Sequence, residues 1–205
     1  MADPDDPDEL YNYLIEDGKP QQAIMVQCLA RLEAAIDSDG WDKSPWLYLV
    51  YRVISTEQIA DGHEHVVQGM AVAPLGEMPV SSDAALRDVL LSLSSFLTNQ
   101  NVATIFSPAL GPNMVAWVLM LESWTAEVEG DAAKVQLTAD AEAQRIHERP
   151  DAVEARMLIA VDRAGVRYEL VRKRNDVATA YLNEHPGVTT GIFGALTTLM
   201  EATPY

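Results

Sequence analysis

Two segments of this 205-residue chain are apolar on both faces of an extended backbone. Trp46 to Ser55 reads WLYLVYRVIS, and Met114 to Trp124 reads MVAWVLMLESW. A strand without a polar side must be covered above and below, so each is expected inside a sheet rather than at its rim. The second segment is also long enough for a short helix. Gly111-Pro112 before it and the polar TAEVEGD after it favour the strand. His65 to Ala73, HVVQGMAVA, supplies another strand, antiparallel to the first across the turn residues ADG, and Pro74, Gly76 and Pro79 break the chain after it.

Helical spacing appears in four places. Leu10, Tyr13 and Leu14 predict a short helix over Asp8 to Glu16, stopped by Gly18. Pro20 suits the first position of a second helix, whose face carries Ile24, Cys28, Leu32, Ala35 and Ile36, and Ser38 to Ser44 turns the chain. Ser81 or Ser82 caps a third, with Leu86, Val89, Leu90, Leu93, Phe96 and Leu97 as its stripe. A fourth is expected from about Thr189 to Ala202. Between Val153 and Lys173 the segment predicts a β-hairpin around DRAG, with Gly165 as the left-handed residue of a four-residue turn. Facing Val161 with Val166 puts Ile159 against Tyr168 and Met157 against Leu170. The other face then holds Glu154 opposite Lys173 and Arg156 diagonal to Glu169. After RKRND the chain reads as a loop up to Pro186.

The order α, α, β, β, α, β, β, β, α predicts an α+β fold with a mainly antiparallel sheet of about five strands packed with helices. Residues 1–7, with two prolines and three aspartates, read as an acidic flexible tail. Residues 8–205 then read as a single domain, and 127–148 as a variable insertion. No run of eighteen apolar residues occurs, so no membrane span is expected. The acidic start is unlike a secretory leader, and one cysteine excludes an internal disulfide; the expected location is cytoplasmic.

Acids number 31 against 14 bases, a net charge of −17. Up to Glu142 there are 23 acids and 6 bases, and from Arg145 onward 8 of each, so the excess lies in the first two thirds. Such a surface repels phosphate backbones, which argues against direct nucleic-acid binding and for a basic protein partner, although acidity also serves solubility alone.

Candidate chemistry is sparse. His63 and His65 lie two apart, on one face of a strand, where both imidazoles reach one metal. No further ligand follows from Val66 to Gly76, so they read as a solvated pair near a turn. Glu122 ends an apolar run beside Trp124, where burial raises a carboxyl pKa toward general-acid use, but no second partner is identifiable. Arg52 inside an apolar strand needs a carboxylate or faces the rim. Cys28 reads as a buried structural thiol. The glycines of GVTTGIFG lack a basic residue for phosphate. The RKR cluster, Arg172 to Arg174, is small for a nucleic-acid platform and suits acids of the same chain or of a second copy. No cofactor or metal is expected.

GWDKSPWLYLVYRV from Gly40, and ERPDAVEARMLIAVDRAGVRYELVRKR from Glu148, resemble the two recurring stretches of a family of small uncharacterised actinobacterial proteins; similar pieces occur in actinophage proteins. The chain departs from the family pattern at Ser44, where proline is usual, and at Glu148-Arg149, where His precedes Pro150. The resemblance implies one domain over roughly Gly40 to Met200 and carries no functional residue. The first expectation for function is therefore a non-enzymatic accessory or regulatory protein acting through protein–protein association, with homo-oligomerisation left open. The alternatives are an acidic DNA mimic, a small hydrolase using Glu122 with His63 or His65, and a structural protein of a phage particle.

Overall fold

Both doubly apolar segments become interior strands. The computed structural model describes residues 6–58, 64–78, 80, 82–99, 110–126, 150, 152–183 and 191–204. Its sheet is antiparallel throughout and has six strands: β1 (Trp46–Gln58), β2 (Glu64–Glu77), β3 (Met114–Ala126), β4 (Ala152–Asp162), β5 (Arg167–Lys173) and β6 (Ala178–Asn183). They lie side by side in the order β2-β1-β3-β4-β5-β6. Helices α1 (Pro7–Glu16) and α2 (Pro20–Ser38) cover one face, and α3 (Asp83–Leu97) and α4 (Gly191–Ala202) the other. The fold is α+β. On β3 every residue from Met114 to Leu121 is buried, and on β4 every residue from Ala155 to Val161, because alternate side chains enter two separate cores.

Local signals set the helix ends. The Asp6 carboxylate caps α1 by accepting from the Asp8 and Glu9 amides at 2.8 and 3.4 Å, so the expected tail gives way to structure at Asp6 and Pro7. Pro20 opens α2, and the Ser82 hydroxyl caps α3 through the Ala85 amide at 3.2 Å. The insertion expected at 127–148 lies outside the described residues. Pro74, read as a break, sits inside β2 opposite Tyr48. β2 is an edge strand, where a missing N–H costs nothing on the outer side.

The hairpin register differs by one residue from the expected one. Val161 faces Arg167, Ile159 faces Glu169, Met157 faces Val171 and Arg156 faces Arg172. The turn has three residues, Arg163 to Gly165, with Gly165 at φ +80°. Asp162 organises it: its N–H donates to the Val166 carbonyl at 3.1 Å, and its Oδ1 accepts from the Ala164 and Val166 amides, each at 2.9 Å. A three-residue loop ending in a left-handed glycine is a common hairpin closure, and it fixes the register. Sorting apolar from charged side chains presupposes one wet face. Here both faces are dry, so that sorting does not choose the register. The slip has two consequences: Arg156 and Arg172 stand opposite each other on the α1/α2 side, and Glu169 enters the α3/α4 core.

Beyond Tyr51, β1 no longer pairs with β3, while it stays paired with β2 as far as Gln58↔Glu64. The two strands thus continue past the sheet as a two-stranded ribbon of roughly 20 Å at strand rise.

Candidate functional site

Among the described residues, the largest convergence of charged side chains is built at the end of the sheet where α2 finishes. Glu122 of β3, Arg156 of β4 and Arg172 of β5 are direct cross-strand neighbours in one row. Like charges opposite each other destabilise a sheet, so two adjacent arginines require acids. Glu33 and Asp37, one turn apart on α2, come down onto them. Arg156 is completely buried. Its Nε donates to Glu122 Oε1 at 3.0 Å, its Nη2 lies 2.8 Å from the same oxygen, and its Nη1 reaches Glu33 Oε1 and Asp37 Oδ1, each at 3.4 Å. The Gly40 carbonyl accepts from Nη2. Arg172 Nη2 pairs with Glu33 Oε2 at 2.7 Å and Nη1 approaches Asp37 Oδ2 at 3.8 Å. The pKa of Arg172 is raised, chiefly by its contact with Glu33 and against the effect of burial.

Gly40-Trp41-Asp42 closes the row. Gly40 takes φ +87°, the left-handed turn that ends helices, and aims its carbonyl at Arg156. Asp42 follows at φ +67°, uncommon for a residue with a side chain. Between them the Trp41 ring lies 4.5 Å from the Arg156 guanidinium and 5.5 Å from that of Arg174, within cation–π range of both. Arg174 pairs with Glu154 and lies 3.9 Å from Asp42. The Lys43 amide donates to Glu122 Oε2 at 2.8 Å. The stretch from Gly40 and the stretch ending in Arg174 therefore meet in space, joined by Glu33 and Asp37 of α2 and Glu122 of β3 in one ion cluster.

A family model described as PPA1309-like protein matches residues 25–201, most of the chain. The chain belongs to the PPA1309-like family. No curated protein and no solved structure gives a significant match. In this family member the matched span begins within α2 and ends within α4, so it includes every residue of the cluster.

The sequence candidates fare differently. Glu122 is half-buried and both its oxygens are engaged, one by Arg156 and one by the Lys43 amide. His63 lies outside the described residues. His65 stands on β2 opposite Glu57, eleven residues along β1 from Trp46, while Trp46 faces Met120. At strand rise this is more than about 35 Å, and Glu122 lies further still, so the register does not bring Glu122 and His65 together. Arg52, expected to need an acid or a rim, is exposed where the ribbon leaves the sheet. Cys28 is buried, and burial pushes its thiol up to about 11, so it stays protonated and unreactive at neutral pH. Two members of the RKR run, Arg172 and Arg174, serve acids of the same chain. Among the described residues no group of three His, Cys, Asp or Glu is placed to hold a metal, and no helix is long and apolar enough to cross a membrane.

Sequence reasoning missed Arg156, Glu33, Asp37 and Trp41 as a unit. A signal existed: Glu33 interrupts the apolar face of α2 between Leu29 and Ile36, and Arg156 interrupts the apolar run of β4. Each breaks a buried pattern with a charge, and the charges are opposite.

Proposed function

We propose that this PPA1309-like protein is a cytoplasmic accessory or regulatory protein that binds another protein through the β1–β2 ribbon. The observation that carries the reading is the exposure of that ribbon. Ile54 is 68% exposed and Val53 39%, beyond the last pairing of β1 with β3. Large β-branched residues on a projecting ribbon are costly to leave in water and are suited to a partner surface. The ion cluster supports the same reading. Its acids and guanidiniums are bound to one another, which suits holding a shape rather than exchanging protons with a substrate.

The partner surface has an apolar centre for Ile54, Val53 pointing to the opposite face of the ribbon, and basic residues around it, because the ribbon belongs to the acidic part of the chain, with Glu57 and Glu64 near its end. Association with such a surface is faster at low salt. Ile54→Asp tests the contact. The substituted position is solvent-exposed, so the melting temperature stays within about 2 °C of wild type, as for surface changes generally. Capture of the partner at moderate salt falls at least tenfold, the effect of losing about 1.4 kcal/mol at a contact. Undiminished capture by the folded variant overturns the assignment of the ribbon.

A further inference from the structure

Glu169 is the charged residue that the observed hairpin register drives into the wrong environment. It lies on the α3/α4 side of β5, between Ile159 of β4 and Tyr181 of β6. On that side Met157, Ile159, Val161 and Val171 are buried, and Tyr181 and Phe193 pack against the same core. Its Oε1 is buried and has no hydrogen-bond partner among the described residues. Two positions away on the same face, Arg167 also has a buried, unbonded Nε, and its guanidinium lies 5.2 Å from the Phe193 ring at the start of α4. Arg167 in turn faces Val161 and Asn183. Among the described residues the titratable or charged groups around Glu169 are Arg167 on its own strand and Tyr181 on β6. β4 presents Ile159, α4 presents Phe193, and the acid of α4, Glu201, is exposed near the other end of that helix.

We propose that Glu169 is a proton-operated latch for the β5–β6 edge and the start of α4. With its proton, the carboxyl is neutral and remains in the apolar layer. When it gives that proton to water, the charge falls on a group whose buried Oε1 has no hydrogen-bond partner among the described residues, and the carboxylate gains by turning toward Arg167 or solvent. Either movement disturbs the Phe193–Arg167 contact and the packing of Tyr181. The step breaks one O–H bond and changes no other covalent bond.

Burial supports the direction, pushing the Glu169 carboxyl up to about 7. A carboxyl with a folded pKa above its unfolded one binds its proton more tightly in the native state. Its contribution to stability is complete below the unfolded value and declines as pH rises through the folded one. The latch is therefore closed at pH 5.5 and open at pH 8.5.

Hydrogen exchange of the whole chain at pH 5.5 and 8.5, corrected for intrinsic exchange rates, tests the latch in wild type and Glu169→Gln. The amide keeps the shape and cannot ionise. In wild type, protection in β6 and the first turns of α4 falls at least tenfold between the two pH values, while protection in α2 changes little. In Glu169→Gln the fall is absent. Arg167→Met serves as the second variant: removing the cation two positions away on the same face shifts the wild-type fall to higher pH. An identical fall in wild type and Glu169→Gln, no fall in wild type, or a loss spread equally over α2 overturns the proposal.

Discussion

Arg156→Ala loses about 3–5 kcal/mol of folding stability, the cost of removing one partner from a buried ion pair. For a chain of this length that is a fall of roughly 10 °C in melting temperature. The loss comes less from missing attraction than from what stays behind. Glu122 Oε1, Glu33 Oε1, Asp37 Oδ1 and the Gly40 carbonyl all face the vacated guanidinium, and Glu33 itself is fully buried. Arg172 remains for Glu33 and Asp37, but no described cation replaces Arg156 beside Glu122. Lysine in its place restores charge without the planar fork that serves these acceptors, so Arg156→Lys recovers only part of the loss. The expected signature is non-additivity: in an Arg156→Ala background, Glu122→Gln costs far less than in wild type, or stabilises. Chemical denaturation of the two single variants and the double variant measures it.

Trp117→Ala is the second large effect, about 3–5 kcal/mol by the cost of emptying a packed aromatic site. Trp117 is 1% exposed, in the first third of β3, between Leu49 on β1 and Val161 on β4. Its indole N–H donates to the Thr203 hydroxyl at 2.8 Å, and that hydroxyl donates to the Leu199 carbonyl at 2.8 Å. The ring therefore fills the α3/α4 core and fastens the end of α4 to the middle of the sheet. Trp117→Phe keeps most of the volume and loses the hydrogen bond, so it costs about 1–3 kcal/mol. Thermal unfolding of both variants separates packing from fastening.

Much of the architecture was legible because it rests on local chemistry. Pro20, Ser82 and the apolar stripes placed α2 and α3, and the doubly apolar β1 and β3 placed the interior of the sheet. β6 was not legible. Its Ala178, Ala180 and Leu182 are small or flexible where strands favour β-branched and aromatic residues, and it follows a run of charge and turn residues. The hairpin shows why register is harder to read than strands. Pairing Glu154 with Lys173 gave the tidier surface, but along most of their length the strands are covered on both sides, and the Asp162–Gly165 turn decides instead. The same slip concealed the ion cluster. Arg156 and Arg172 become neighbours only in the observed register, and the acids that reconcile them come from α2, more than a hundred residues earlier. Glu122 was recognised as unusual, but its partner was legible only in three dimensions.

The proposal that the ribbon binds a partner makes one spatial claim above all: contact is made at Ile54 and not elsewhere on the surface. A photo-crosslinking amino acid placed at position 54, and separately at Val177, tests it in growing cells. Val177 is 73% exposed in the turn between β5 and β6, across the sheet from the ribbon, and serves as the equally accessible control. The account predicts a discrete adduct with a different protein from position 54 and none from position 177. No adduct at 54, the same adduct from both positions, or an adduct only with a second copy of the chain contradicts it.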